Sequence, residues 1–217
     1  MNKEKPSLNS HPLSEYVAWA GTRNREPILS VLKEKLPKES GVILEIGSGS
    51  GMHINYFAPH FKHLLFQPSD HDTEVFDNIK NISVELGNDN IYDPLYIDLT
   101  KPKTWVNLEK KNAYSAIFCI NIFHVAPIYI ADGMMECTAE LLNENGYLFI
   151  YGPFKVDGTF NSASNKQFNK ILHSIGAPGW GLKDIADLKK VAEPYNLKLQ
   201  EKIDMPSNNF FLMFAKK

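Results

Sequence analysis

Apolar and polar positions follow two rhythms along this chain. Ile28, Leu29, Leu32 and Leu36 recur at the spacing of one helical face, within a helical stretch that Ser14 is suited to cap. Pro27 interrupts that stretch and predicts two helical pieces rather than one. The next run, Val42-Ile43-Leu44-Glu45-Ile46, is short and β-branched and reads as a buried strand that enters Gly47-Ser48-Gly49-Ser50-Gly51. A helix over residues 52–61 is predicted next. A strand over 63–67, stopped by Pro68, follows, and then a helix capped by Asp70 or Asp72 that reaches about residue 81. Further strands are read at 95–98, 114–122 and 147–151, with a helix over 128–142 ended by Asn143 and Gly146. Residues 157–165 read as a polar loop, 166–175 and 184–192 as helices, and 197–203 and 209–215 as strands joined by a turn at Met205-Pro206-Ser207-Asn208.

Alternation of strands and helices implies an α/β fold, a mainly parallel sheet with helices on both faces. The closing hairpin adds one antiparallel strand. A length of 217 residues suits a single domain over 14–217, preceded by a loose polar tail over 1–13. No apolar run reaches the roughly 18–20 residues that cross a bilayer, and the start lacks a signal-peptide core, so no membrane partner and a cytoplasmic location are expected. Two cysteines, Cys119 and Cys137, exclude a disulfide framework and a four-cysteine zinc site. His53, His60, His63 and His71 match no common zinc spacing, and no metal is expected. A net charge of −2 gives no footprint for nucleic acid. A homodimer is left open.

The glycine turn carries the most chemistry. Glycines let a strand turn sharply into a helix and let a ligand approach the backbone. A dinucleotide site favours G-x-G-x-x-G, with pyrophosphate at the helix N-terminus. Here the spacing is G-x-G-x-G, Met52 stands where the third dinucleotide glycine would be, and Glu45 lies beside the turn. An acid there opposes a pyrophosphate and suits a ligand with an ammonium group. Asp70 after the second strand suits ribose hydroxyls, and Asp98 after the third suits an adenine amino group. S-adenosyl-L-methionine carries all three features. The cofactor site is therefore expected to comprise Glu45, Gly47, Ser48, Gly49, Gly51, Asp70 and Asp98, with Asn121 beside them.

Residues 42–151 resemble a class I S-adenosylmethionine-dependent methyltransferase, whose first motif reads as Val42 to Gly51 does here. More narrowly, Asn24-Arg25-Glu26-Pro27-Ile28-Leu29, Gln67-Pro68-Ser69-Asp70, Asn121-Ile122-Phe123-His124 and Ser164-Asn165 resemble the methyltransferase-like protein 26 family. The resemblance implies the Rossmann-like methyltransferase fold with a seven-stranded sheet, and leaves the methyl acceptor unnamed. The segment Ala20-Gly21-Thr22-Arg23 departs from the pattern.

Asn121 and His124 follow the fourth strand, whose end adjoins the methyl position in this fold. They are the candidate catalytic pair, His124 accepting a proton or orienting the acceptor; the alternative is a histidine bonded to a neighbouring carbonyl. Asn24, Arg25, Tyr151 and Asn165 are the candidate acceptor-binding residues, with Arg25 paired to Glu26 in solvent as the alternative. The leading expectation is a methyltransferase acting on a small molecule. A non-catalytic protein that binds the same nucleoside is the competing one, and a nicotinamide-dependent oxidoreductase is disfavoured by the glycine spacing.

Overall fold

The structure, a computed structural model, describes residues 14–106, 108, 112–175 and 178–216. The tail expected over residues 1–13 lies outside the described residues. The first half of the chain forms α1 (Ser14–Lys35), β1 (Gly41–Ile46), α2 (Met52–Phe57), β2 (Leu64–Asp70), α3 (Phe76–Glu85), β3 (Leu95–Tyr96), α4 (Lys103–Val106) and β4 (Tyr114–Ile120). The second half forms α5 (Tyr129–Leu141), β5 (Leu142–Gly152), β6 (Lys155–Val156), β7 (Thr159–Phe160), α6 (Ala163–Ile175), α7 (Ile185–Ala192), β8 (Leu197–Met205) and β9 (Asn209–Lys216). Seven strands make one sheet in the order β3-β2-β1-β4-β5-β9-β8. All neighbouring pairs from β3 to β5 are parallel, and β9 runs antiparallel to both β5 and β8. This is the Rossmann-like methyltransferase fold. Among the described residues no helix is long and apolar enough to cross a membrane.

Side-chain alternation splits the core into two layers. Ile43, Ala116, Phe118 and Phe149 face Ile28, Leu29 and Leu32 of α1 and Ile54 and Phe57 of α2. Leu44, Ile46, Ile117, Cys119 and Leu148 face Met134, Met135 and Leu141 of α5 and Leu188 of α7. Each of these side chains is all but removed from water, a contribution of roughly 1.5–3 kcal/mol per large aliphatic or aromatic group.

Four local expectations differ from the structure. First, α1 continues through Pro27 as one helix. An interior proline costs about 3 kcal/mol, but the burial of Ile28, Leu29 and Leu32 next to it outweighs that, and Arg23, whose carbonyl loses its donor, is exposed to solvent. Second, β2 runs through Pro68 to Asp70. On the edge facing β3, Phe66 exchanges hydrogen bonds with Asn90 and Tyr92, each 2.8 Å, and the Asp70 carbonyl accepts from Ile97 N at 3.1 Å. Pro68 falls between them, where the neighbouring segment bows away and the Gln67 amide spans the gap to the Pro68 and Asp93 carbonyls at 3.1 and 2.6 Å. A missing N–H does no harm there. Third, β5 starts at Leu142 directly out of α5, so Gly146 lies within the strand, in a register shift between Tyr114 and Ala116. Fourth, residues 157–165 hold a small hairpin. Asp157 and Gly158, with φ of 49° and 79°, form the two-residue turn between β6 and β7. After them α6 opens at Ala163.

Candidate functional site

Strand order reverses between the parallel neighbours β1 and β4, the chain stepping outward from β1 to β2 and β3 on one side and from β4 to β5 on the other, and the crevice beyond their carboxyl ends is where open α/β sheets take ligands. A cleft of about 670 Å³ lies there. Its floor is the turn after β1. Gly47 and Gly49 adopt φ of 72° and 51°, in the left-handed region open to glycine. A Cβ on Gly47 would stand 2.6 Å from Ile122 Cδ1, whereas one on Gly49 would meet nothing within 4 Å. At Gly47 the left-handed backbone is what calls for glycine, since the end of the Ile122 side chain can move aside, and Gly49 leaves the space above it free for a ligand.

The turn is bound to β2. The Gly47 and Ser48 N–H groups both donate to the Ser69 carbonyl at 2.9 Å, and Ser69 Oγ donates to the Glu45 carbonyl at 2.7 Å. Asp70 Oδ2 accepts from Gly49 N at 2.8 Å and Oδ1 from Asp72 N at 3.0 Å. His71 Nδ1 also lies 3.0 Å from Oδ1; a carboxylate has about four lone-pair sites, so Asp70 keeps one, on Oδ2, toward the cleft that it lines. Asp98 lines it too, after β3. Its burial alone would raise its pKa, but the Lys101 ammonium at 2.7 Å and the Thr100 hydroxyl and amide at 2.6 and 2.9 Å hold it below the usual carboxylate range.

Asn121 and His124 close the far side. Asn121 takes a φ of 62° immediately beyond β4 and donates its N–H to the Tyr151 carbonyl at 2.8 Å. A left-handed asparagine at a strand end stores local strain that the surroundings must hold in place. A Cβ built on Gly152 would lie 3.8 Å from Asn121 Oδ1 and 3.9 Å from His124 Nδ1, so both side chains converge above the end of β5. The Phe168 ring of α6 packs at 5.4 Å from the imidazole, and Gly181 N holds the His124 carbonyl at 2.9 Å. Burial pushes the His124 imidazole down to about 4, and the nearby Lys183 ammonium adds to this. The ring is neutral at neutral pH. No side-chain hydrogen bond occupies it among the described residues, unlike the carbonyl-bonded alternative.

From α1, Ala20, Arg23 and Asn24 line the cleft from one helical face. Asn24 Oδ1 pairs with His53 Nε2 at 2.9 Å, and burial pushes His53 down to about 4, with Arg25 adding to the effect. Gly47, Ser48, Gly49, Asp70, Asp98, Asn121, His124 and Asn24 thus meet in one place.

Five residues expected there stand elsewhere. Glu45 is 1% exposed behind the turn rather than in the cleft, because strand alternation turns it to the α1 side. Burial pushes its carboxyl up to about 8, with Ser48 opposing and Asp70 adding, and Oε2 has no hydrogen-bond partner. Gly51 starts α2, where a Cβ would press on Ile79 at 3.0 Å. Arg25 points away from the cleft and lies over the Tyr56 ring at 4.4 Å. Tyr151 is buried in the core beneath Asn209. Asn165 donates to Asn161 Oδ1 and the Asn208 carbonyl, both at 2.8 Å, and so pins the β8–β9 turn. The cleft also includes Arg23, Asn209 and Phe168, which the linear reading did not select. Arg23 was discoverable, since it shares a helical face with Ala20 and Asn24; nothing local marked Asn209.

Several solved structures share this fold. CalO1, a methyltransferase in calicheamicin biosynthesis solved with SAH bound, superposes with a TM-score of 0.72 at 12% identity over 94% of this chain and 58% of its own. An O-methyltransferase family protein from Burkholderia thailandensis gives 0.75 at 13% identity, over 100% of this chain and 65% of its own. The mitomycin 7-O-methyltransferase MmcR gives 0.70 at 10% identity, over 95% and 59%. The chain thus spans 58–65% of the length of these three proteins, and at such identity the likeness is one of fold. Residues 15–216 match the family model described as "Protein of unknown function (DUF938)", and the chain belongs to that family.

Proposed function

We propose that this protein binds S-adenosyl-L-methionine in the cleft and methylates a hydroxyl of a small molecule. One observation carries the reading. The open Gly49, the Asp70 and Asp98 carboxylates and the Asn121–His124 pair line a single cleft at the sheet's reversal point. The residues present fit the nucleoside. Free space over Gly49 admits close approach, and two acids suit ribose hydroxyls and an adenine amino group. Carboxylates rather than cations surround the turn, which opposes a pyrophosphate. The local matches to the methyltransferase-like protein 26 family support the same reading.

When bound, the cofactor supplies an electrophilic methyl carbon on a sulfonium, a reaction in which orientation and exclusion of water do most of the work. Asp70 and Asp98 hold the nucleoside end. Asn121, fixed by its backbone bond to Tyr151, orients the acceptor. Neutral His124 takes the acceptor's proton as the acceptor oxygen forms its bond to carbon. A histidine whose basicity is lowered by burial is matched to an acidic hydroxyl, a phenol or enol near pKa ~10, better than to an alkanol.

Calorimetry with S-adenosylhomocysteine and with NADH tests the first half, and mass spectrometry of a phenol and enol panel incubated with S-adenosylmethionine tests the second. Micromolar binding of the former nucleoside and a methylated product are expected. Binding with no product from any acceptor would instead assign a non-catalytic role, and preference for NADH would defeat the reading outright.

A further inference from the structure

The two ends of the cleft differ in charge. Toward β1, β2 and β3 it is lined by the Asp70 carboxylate and by Asp98, which is paired with Lys101. Toward β4, β5 and β9 no carboxylate lines it; the walls are Val125, Pro127, Ile130, Phe168 and Leu172, and the charge is that of Arg23. We infer that Arg23, with Asn209 beside it, receives a carboxylate of the methyl acceptor. The inference rests on the methyltransferase reading above and names the acceptor class.

Arg23 reaches the cleft from α1, its guanidinium 4.2 Å from the Trp19 ring centroid. Stacking engages the face of the guanidinium and leaves the N–H fork at its edge free. No acidic side chain among the described residues pairs with Arg23. The position at the β5 end follows from its neighbour Tyr151. Burial pushes that phenol up to about 12, and the Arg23 charge is close enough to oppose the rise, as is the Asn209 side chain. Asn209 opens β9 one step beyond the Gly152–Phe210 pair, is 9% exposed, and lines the cleft. Its amide nitrogen donates to the Pro206 carbonyl at 3.2 Å and also bonds the Tyr151 phenol, which fixes this corner of the cleft. Lys183 adds positive potential next to His124, its ammonium resting on the Gly179 and Gly181 carbonyls at 2.7 and 2.8 Å.

The fork of N–H donors on Arg23 suits the two oxygens of a carboxylate. The nucleoside's own carboxylate is the rival source. Asn24, next to Arg23 on α1, bonds His53 just past the turn after β1, so the two sources are separated by an arm of the test. The acceptor then carries an acid at one end and a hydroxyl toward His124.

The test is calorimetric. Protein saturated with S-adenosylhomocysteine is titrated with paired hydroxy acids and their primary amides, from lactate and 4-hydroxybenzoate to hydroxynaphthoate. At least one acid is expected to bind roughly tenfold more tightly than its amide. Arg23→Gln should abolish that preference, Arg23→Lys should keep part of it, and both should leave S-adenosylhomocysteine affinity within about twofold, since a salt-bridge loss at a separate subsite is local. Equal affinity across every pair, or binding of none, overturns the proposal. So does a large loss of S-adenosylhomocysteine affinity in Arg23→Gln that is absent with 5′-methylthioadenosine, which lacks the amino-acid part; that result gives Arg23 to the nucleoside. Wild-type protein that takes up no S-adenosylhomocysteine defeats the methyltransferase reading itself, and this proposal with it.

Discussion

Asp70 accepts the Gly49 N–H at 2.8 Å, so the acid that ends β2 holds the middle of the turn that follows β1. One carboxylate thereby shapes the floor of the cleft and faces its contents. Asp70→Ala should cost stability modestly, about 0.5–1.5 kcal/mol, because the half-buried Gly49 N–H loses its acceptor while the Asp72 N–H, on an exposed residue, can turn to water. It should also lower S-adenosylhomocysteine affinity by roughly tenfold or more. Thermal melts and calorimetry on the same preparation separate the two effects. A folded variant with wild-type affinity would remove Asp70 from the site.

The glycines of the turn make opposite demands. Gly47→Ala adds backbone strain at a φ of 72° and must push the Ile122 terminal methyl aside, so the melting temperature should fall. Gly49→Ala meets open space, so its loss of stability should be confined to the left-handed backbone, about 1–2 kcal/mol. Its added methyl projects where a ligand would lie, and nucleoside binding should fall sharply. If Gly49→Ala bound S-adenosylhomocysteine as well as wild type, the ligand would not rest on this turn.

His124→Ala should reduce turnover by roughly 10²–10⁴ while cofactor affinity stays near its wild-type value. The imidazole is pushed down to about 4 by burial, so kcat/KM should show no inflection near pH 6.5, where an exposed histidine would titrate. A break at that pH in wild type, or equal losses of binding and turnover in the variant, would mark His124 as a packing residue.

Stability should respond to pH through groups buried in their neutral forms. The Glu45 carboxyl is pushed up to about 8 by burial, against a usual value of 4.5. The folded state therefore holds a proton that the unfolded state releases, and this contribution, full below pH 4.5, is lost as pH rises toward 8. His53 and His124, both lowered to about 4 from 6.5, act oppositely: their contribution is present above pH 6.5 and lost as pH falls toward 4. The opposing terms nearly cancel between pH 6 and 7, so denaturant titrations should show stability declining from pH 7 to 8 by on the order of 1 kcal/mol, and Glu45→Gln should flatten that decline. A wild-type profile that rises over this window would show Glu45 ionised in the fold.

Arg25→Ala should leave S-adenosylhomocysteine affinity unchanged, since its guanidinium lies over Tyr56 outside the cleft. A tenfold loss measured by calorimetry would place Arg25 at the ligand after all.

Much of this was legible along the chain. The β-branched run before Gly47 predicts β1 and its turn, because a buried parallel strand and a glycine exit have few other readings. Asp70, Asp98, Asn121 and His124 were found by their positions after strands, and all four line the cleft. Proline was over-read at residues 27 and 68. Its penalty is local, and burial around Pro27 and an unpaired stretch of the sheet edge beside Pro68 decided otherwise. The Asp157-Gly158 pair was under-read, although that dipeptide suits the two-residue turn found there.

Periodicity and spacing, taken alone, determined the layered α/β architecture and the acids that follow its strands, since both depend on contacts within a few residues of one another. Only the tertiary structure decided which neighbours in sequence share the cleft. It turned Arg23 in and Arg25 out, set Glu45 behind the turn, and brought Asn209 from the last strand to the first helix. The reason is geometric: a helical step of about 100° or a one-residue change of strand face sends adjacent side chains in different directions, and only packing fixes which of them meets the ligand.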